Sequence, residues 1–203
     1  MILNAIAAFL HLTIRGALFL AIAVFGGLGT AWALIHSGSR LTTVTSGPWM
    51  SWTAAGRMDA DPYTRANTVR TARLPINPSL ALTWRAENDS DGARIHSSCA
   101  YSIDMSLLDA AWWSLAVYDD RGALISNPAN RHGFNAATLV RNADGTATIV
   151  LARDARPGNW LPTTGAGKVT LLLDIVDPVW VATATSDPPK LKPLPAISRI
   201  ACR

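Results

Sequence analysis

The chain has 203 residues, of which 49% are hydrophobic and 16% are charged, and its formal net charge at pH 7 is +4. This length suits one domain with its own core and is too short for two full-sized domains. The 18 Lys and Arg residues form neither a block of like charges nor a basic helix, which argues against nucleic acid as a partner.

The first predicted element is an apolar helix long enough to cross a membrane. Gly16 to Ile35 are twenty consecutive uncharged residues, which at about 1.5 Å per residue span roughly 30 Å. A signal peptide normally has an apolar region of about 7 to 15 residues that ends at a small-x-small cleavage site, whereas Trp32 and His36 stand at the exit here. We therefore predict an uncleaved membrane anchor over residues 1–36, with the lipid bilayer as its partner.

The anchor carries two sets of candidate contact positions. Three polar residues form a narrow stripe on the helix, which would lie at the headgroup level or dock against another membrane subunit or a second copy. Three small residues repeat every fourth position, a spacing that lets helix backbones approach closely but that the composition of the segment also explains. The two sets are Asn4, His11 and Arg15, and Ala23, Gly27 and Ala31.

The cysteines give the best indication of the compartment. Arg15 and Arg40 nearly balance across the apolar segment, so the positive-inside rule decides little. Cys99 and Cys202 are the two cysteines and follow the segment. In an exported domain such a pair is most simply a disulfide, with two separate buried thiols as the alternative. We predict a single-pass protein of the bacterial inner membrane with residues 37–203 as its periplasmic domain.

Beyond Gly38 the sequence is typical of an antiparallel β domain, with short alternating runs separated by Gly, Pro, Asn and Asp. One short helix is predicted to start with Asp61 as N-cap and Pro62 at its first position, and to continue as far as residue 73. The predicted strands are 41–46, 49–54, 81–87, 99–105, 112–118, 138–141, 146–152, 169–176 and 197–202.

Local patterns predict several details of this domain. Turns are expected at 119–122 and 142–145, each with a glycine in its last position. In strand 169–176, alternation assigns one face to the core. The segment 158–162 is expected to be a loop that plugs one end of the sandwich with Trp160, and the prolines from Pro188 to Pro195 predict an extended surface segment. The predicted core residues of the strand are Val169, Leu171, Leu173 and Ile175.

Five groups of motifs occur in an order that resembles one protein family. They are Asp61-Pro62-Tyr63-Thr64-Arg65-Ala66, Trp113-Ser114-Leu115 with Tyr118-Asp119, Asn127-Pro128 with Asn130-Arg131, Asp144-Gly145, and Gly158-Asn159-Trp160-Leu161-Pro162. Together they resemble the bacterial family called domain of unknown function 1214, in its short membrane-anchored form, over roughly residues 49–178. The resemblance implies a mainly β fold, a jelly-roll-like antiparallel β-sandwich with one short helix. A cysteine pair at positions like Cys99 and Cys202 is also similar to that of short members, and no activity is implied.

The sequence gives little sign of catalysis or of a cofactor. It contains no nucleophile elbow, zinc-protease helix, phosphate loop or dinucleotide fingerprint. Glu87, Asp89 and Asp91 imitate the first half of a calcium loop, but Ser98 stands where the closing Glu is required, so we predict a plain turn there and no metal site. His96 and His132 have no clear carboxylate partner for a catalytic base. We expect no catalytic residue and no cofactor.

The candidate ligand-binding residues lie in one polar loop and on one strand. In one interpretation the loop binds an acidic or hydroxylated ligand, because a guanidinium pairs well with carboxylates, and two aromatic rings stack on a sugar. In the other, the loop side chains satisfy its own backbone groups and the rings pack under the helix or against Trp160. The candidate residues are Asn127, Asn130, Arg131 and His132 in the loop, and Trp112 and Tyr118 on the strand.

These features predict a membrane-anchored periplasmic binding or accessory module, a non-catalytic subunit or partner of an envelope assembly. Its partner would be a membrane protein or a second copy of the chain. The alternative is an envelope protein that binds or processes glycans.

Overall fold

The chain is described by a computed structural model that covers residues 2–72, 74, 76–177, 179 and 192–202, with side chains described from Leu10 onward. The predicted extended segment lies partly outside these residues, including Pro188 and Pro189.

The first helix, α1 (Ile2–Ser37), contains the predicted apolar segment. Its stretch Leu10–Ser37 has 28 residues and a mean hydropathy of 2.1, and no residue of its apolar 18-residue window is buried. By length and composition it can cross a membrane, and a signal sequence near an N-terminus has the same character. The helix ends at Gly38, whose φ of +68° suits the left-handed cap position and whose N–H donates to the Leu34 carbonyl at 3.0 Å.

A hydrogen-bonded turn joins α1 to the first strand. The N–H groups of Thr42 and Thr43 donate to the Ser39 carbonyl at 3.0 and 2.8 Å, and the Ser39 N–H donates to the Thr42 hydroxyl at 2.9 Å. This turn fixes the direction in which the chain leaves the helix.

The rest of the described chain is a β-sandwich of two sheets. Its strands are β1 (Thr43–Ser46), β2 (Trp49–Trp52), β3 (Leu82–Ala86), β4 (Cys99–Asp104), β5 (Trp112–Asp119), β6 (Gly133–Asn135), β7 (Thr148–Ala152), β8 (Asn159–Pro162), β9 (Val169–Val176) and β10 (Ile197–Cys202). The larger sheet has the order β1-β2-β3-β9-β5-β6 and the smaller has the order β10-β4-β7-β8. The mainly β class is confirmed.

The core forms where inward-facing side chains of the two sheets meet. Trp84 and Trp113 of the larger sheet join one apolar cluster with Tyr101 and Leu161 of the smaller sheet. The predicted core face of β9 is confirmed, because its four alternating residues are fully buried. The predicted disulfide also forms, between Cys99 of β4 and Cys202 of β10, which face each other in the antiparallel ladder.

Two predicted details near β6 and β8 are wrong. The predicted strand 138–141 does not form; the strand lies earlier, at Gly133–Asn135, because the Asn135 side chain accepts from the N–H groups of Ala137 and Thr138 at 2.9 Å each and turns the chain. The segment predicted as a plugging loop is strand β8, and it pairs with β7 in parallel rather than antiparallel fashion.

The short helix α2 (Pro62–Arg70) begins as predicted. The Asp61 carboxylate accepts from the N–H groups of Tyr63 and Thr64 at 2.9 and 3.0 Å. Partial burial alone would raise the pKa of this carboxyl, but the Thr64 hydroxyl and these N–H groups hold it below its ordinary value. The helix ends at Arg70, earlier than predicted, and residue 73 lies outside the described part of the chain.

Candidate functional site

The polar loop that the sequence singles out uses its asparagine to hold its own backbone. The side-chain amide of Asn127 donates to the carbonyls of Ile125 and Arg131 at 3.0 and 2.9 Å, and its oxygen accepts from the Arg131 N–H at 3.0 Å. The two bonds to Arg131 close the loop across five residues, in the manner expected of an asparagine in a turn.

The remaining loop side chains also contact the protein itself. The two ring nitrogens of His132 lie 3.0 Å from the Ile125 carbonyl and 3.2 Å from the side-chain oxygen of Asn130. The Arg131 guanidinium donates to the Trp160 carbonyl at 3.1 Å and lies 5.5 Å from the centre of the Phe134 ring. This geometry agrees with the structural interpretation of the loop, and a ligand role for it stays a prediction.

The two candidate aromatic residues of β5 lie on the same outer face of the larger sheet but in different surroundings. Trp112, at the start of the strand, is 43% exposed. Tyr118, near its end, lines a groove between the sheet and α2. The structure therefore does not bring Trp112, Tyr118 and the loop 127–132 into one site.

The candidate contact positions on α1 lie along its exposed length. An added Cβ at Gly27 would meet no atom within 4 Å, so this side of the helix is open to a neighbour. The described positions are His11, Arg15, Ala23, Gly27 and Ala31, and the side chain of Asn4 lies outside the described part. Contact with a membrane partner stays a prediction.

A groove with polar and apolar lining lies beside α2. It has a volume of about 500 Å³ and lies over the outer face of the larger sheet, within the range of about 300 to 1,000 Å³ typical of small-molecule sites. Strands β3 and β9 form its floor, and the turn after β5 contributes one wall. The other wall consists of α2 with Ala72, Leu74, Ile76, Pro78 and Ala81.

The floor of the groove is built by strand register. Thr83 and Arg85 of β3 pair with Asp174 and Leu172 of β9, so side chains distant in sequence lie side by side on the outer face. The Thr83 hydroxyl donates to one oxygen of Asp174 at 2.6 Å. This bond fixes the carboxylate against the floor.

Two guanidinium groups, those of Arg85 and Arg121, belong to the lining of the groove. Arg85 forms an ion pair with Glu87, while its Nε is buried without a hydrogen-bond partner among the described residues. Arg121 stands at the rim in the turn 119–122, where its N–H donates to the Asp119 carboxylate at 3.0 Å. Its side chain has no hydrogen bond to a carboxylate within the part of the chain that the structure describes. Against these two cations the lining contains one carboxylate, that of Asp174.

The acidic segment that imitates a calcium loop is the plain turn that the sequence predicts. Its Asp89 side chain is fully buried, accepts from the N–H groups of Asp91 and Ala93 at 3.2 and 2.8 Å, and pairs with Arg199 at 2.6 Å. Burial raises the pKa of Asp89, but the Arg199 guanidinium and the backbone donors outweigh burial and hold the pKa below its ordinary value. Among the described residues, no group of three or more His, Cys, Asp or Glu is arranged to hold a metal.

One wall of the groove is attached to the end of α1. Asn67 of α2 lines the groove, and its side-chain amide donates to the Ile35 carbonyl in the last turn of α1 at 2.7 Å. Sequence reasoning missed this contact and the whole groove. The available signal was the polar outer face of β9, where Thr170 and Asp174 alternate with core residues.

Comparison with known proteins assigns part of the chain to a family. Residues 80–179 match the model described as "Protein of unknown function (DUF1214)". Residues 80–179 of the chain therefore form a DUF1214 region. The matched part includes Arg85, Arg121 and Asp174, whereas α1 and α2 precede it. The DUF1214 region therefore supplies the floor and the cations of the groove, and the preceding segment supplies its outer wall.

Two solved structures resemble this chain. The crystal structure of VPA0106 from Vibrio parahaemolyticus has a TM-score of 0.57 and 18% identity, over 89% of this chain and 44% of that one. An uncharacterised protein from Burkholderia cenocepacia has a TM-score of 0.43 and 19% identity, over 72% of this chain and 46% of that one. The chain thus spans less than half of either, and the first likeness supports the fold alone. No curated protein matches the chain.

Proposed function

We propose that the chain is a binding module, tethered by α1 to a bacterial inner membrane, whose ligand binds in the groove. Residues 37–203 then form its periplasmic domain. The length and hydropathy of α1 support the tether, and the Cys99–Cys202 disulfide suits an oxidising compartment.

The position of the groove at the end of α1 carries this proposal. A 500 Å³ groove that holds guanidinium groups, a hydroxyl and an aromatic ring offers the means to recognise a ligand, and Asn67 holds its wall to α1. A ligand in this groove is bound next to the membrane surface.

Topology is tested by protease treatment of bacterial spheroplasts that contain the full chain. Digestion of the domain from outside supports the periplasmic placement. Protection in intact spheroplasts, with digestion after lysis, contradicts it.

Binding is tested by native mass spectrometry of the full chain in mild detergent, which detects a small molecule that co-purifies. The variant Thr83→Trp fills the floor of the groove and is expected to lose that molecule, whereas Thr45→Trp, at an exposed position of β1 in the same sheet, is expected to keep it. Equal retention in both variants contradicts binding in the groove. A saccharide as the bound species would favour the glycan alternative, with Trp52 and Tyr118 of the lining as the stacking rings.

An accessory role in a larger membrane assembly is the second candidate. It is favoured by the exposed polar side chains His11 and Arg15 on an otherwise apolar helix, which a neighbouring subunit or a second copy would cover. Gentle purification followed by mass measurement tests it, and a monodisperse monomer counts against a subunit role.

A further inference from the structure

We infer that the groove binds an anionic amphiphile, a molecule with an acyl chain and a carboxylate or phosphate head. This inference rests on the proposed function, since it names the ligand class for the same groove.

The lining of the groove combines an apolar part with a cationic part. The apolar part comes mainly from the segment between α2 and β3 and from the sheet, and it includes Leu74, Ile76, Pro78 and Leu172. Leu74 is 92% exposed and Ile76 is 47% exposed, so apolar surface remains open to an occupant. A purely polar metabolite would leave this surface in water.

The cationic part selects for negative charge. The guanidinium of Arg121 at the rim is not bonded to any described carboxylate. The buried Nε–H group of Arg85 donates to no described group. The Asp174 carboxylate keeps its charge beside Thr83, and Arg85 is paired with Glu87, so Arg121 is the arginine of the lining that no described carboxylate engages. A carboxylate or phosphate pairs its negative charge with a guanidinium and can accept two parallel hydrogen bonds from it, whereas a neutral head offers no opposite charge.

The attachment of the groove to α1 indicates where such a ligand comes from. Asn67 contributes to the lining and bonds to the last turn of the long apolar helix. With α1 in a bilayer, the open apolar lining lies close to the headgroup layer, which is the local source of acyl chains with acidic heads. Free fatty acids and anionic phospholipids share the chemistry that the groove recognises.

The test uses the full chain in nanodiscs of uncharged phosphatidylcholine, with three photoreactive probes of matched chain length. The probes are palmitate, the corresponding fatty alcohol and phosphatidylglycerol, each with a diazirine in its acyl chain. Peptide mapping after irradiation is expected to place crosslinks at lining residues such as Ile76 or Leu172. The anionic probes are expected to label these positions about tenfold more than the alcohol, the factor that one charge-assisted hydrogen bond supplies.

Two arginine variants distinguish recognition of the charged head from nonspecific binding of the probes. Arg121→Gln is expected to reduce groove labelling by the anionic probes about tenfold. Arg156→Gln, which removes an exposed arginine from the loop between β7 and β8, is expected to leave it unchanged. Labelling by palmitate alone identifies a free fatty acid, and labelling by phosphatidylglycerol identifies a membrane lipid; either supports the inference.

Two results would overturn it. Equal labelling of the groove by the alcohol and the anionic probes would refute the charge selection while leaving the groove as a binding site, so the proposed function would stand. Labelling of the groove that does not exceed labelling at exposed Val140 with any probe would refute amphiphile binding. The proposed function would fail as well only if Thr83→Trp and Thr45→Trp also retained the same co-purified molecule.

Discussion

The side-chain amide of Asn67 donates to the backbone carbonyl of Ile35 at 2.7 Å, which joins α2 to the last turn of α1. The last four carbonyls of a helix have no partner within the helix. Gly38 satisfies the carbonyl of Leu34, and Asn67 satisfies that of Ile35. A side chain of the β domain thus satisfies a backbone carbonyl that has no partner within the long helix.

Replacement of Asn67 by alanine is expected to loosen this contact. The bond is largely shielded from water, since Asn67 is 8% exposed, and its loss should cost about 1 kcal/mol. Hydrogen exchange measured in nanodiscs should show faster exchange in α2. Val69→Ala is the matched control, because Val69 lies on the same helix and is 80% exposed. Equal exchange in the two variants would contradict a role for the contact.

Replacement of Gly38 by alanine is expected to disturb the exit of α1. A left-handed φ costs a residue with a Cβ about 1 to 2 kcal/mol, and here the added Cβ would also lie 2.3 Å from the Thr43 Cγ2. Gly47 has a φ of +57° and nothing within 4 Å of an added Cβ, so Gly47→Ala measures the conformational cost alone. Faster amide exchange at Thr42 and Thr43 in Gly38→Ala is the expected readout. An equal effect of both variants on these amides would show that the clash is relieved without cost.

Removal of the disulfide is expected to lower the stability of the domain. The bond joins residues 103 positions apart, and chain entropy gives a loop of about 100 residues a stabilisation of about 4.7 kcal/mol. Denaturant unfolding of the double variant Cys99→Ser/Cys202→Ser, followed by tryptophan fluorescence, should show a loss of roughly 3 to 5 kcal/mol. Reductant should lower the midpoint of the natural sequence and leave the double variant unchanged. If reductant does not change the denaturant midpoint of the natural sequence, the two thiols are not joined.

The ion pair of Asp89 and Arg199 predicts a dependence of stability on acid. Burial raises the pKa of Asp89, but the guanidinium and backbone N–H groups outweigh it and lower the pKa. Its stabilisation is therefore present above the unfolded value of about 3.9 and is lost as the pH falls through the lower folded-state pKa.

Denaturant midpoints at several pH values check this dependence. Asp89→Asn should be less stable than the natural sequence at pH 7, and the difference should shrink as the pH falls below about 4. Asp120→Asn, which changes an exposed carboxylate in a turn, serves as control. A difference that stays constant across the series would show that the pair does not titrate in this way.

Local chemistry explains which elements the sequence could predict. Asp61 and Pro62 mark the start of α2 because an N-cap and a first-position proline act within a few residues. Alternation in 169–176 identified the core face of β9 because every second residue of a strand lies on the same face, although Thr170 and Leu172 on the other face are buried as well. These signals need no knowledge of distant residues.

The elements and site that the sequence missed depend on pairing between distant segments. Strand β8 is stabilised by its parallel ladder to β7 and by Asn159, whose side chain bonds to both backbone groups of Val140, at 2.9 and 2.8 Å. The groove requires Arg85 beside Leu172, a register between strands far apart in the chain. Asn127 and Arg131 attracted attention because they are close in sequence, yet the structure uses their polar groups within the protein.

The turn at residues 39–42 limits how far the β domain can move away from the end of α1. A flexible linker of n residues would spread the domain over about 5 to 6 Å × √n, but here Ser39, Thr42 and Thr43 are bonded to one another at 2.8 to 3.0 Å. With α1 in a bilayer as proposed, the module cannot sweep the depth of the periplasm. The domain moves with α1 by lateral diffusion in the membrane, so its ligand must be at the membrane surface in order to bind.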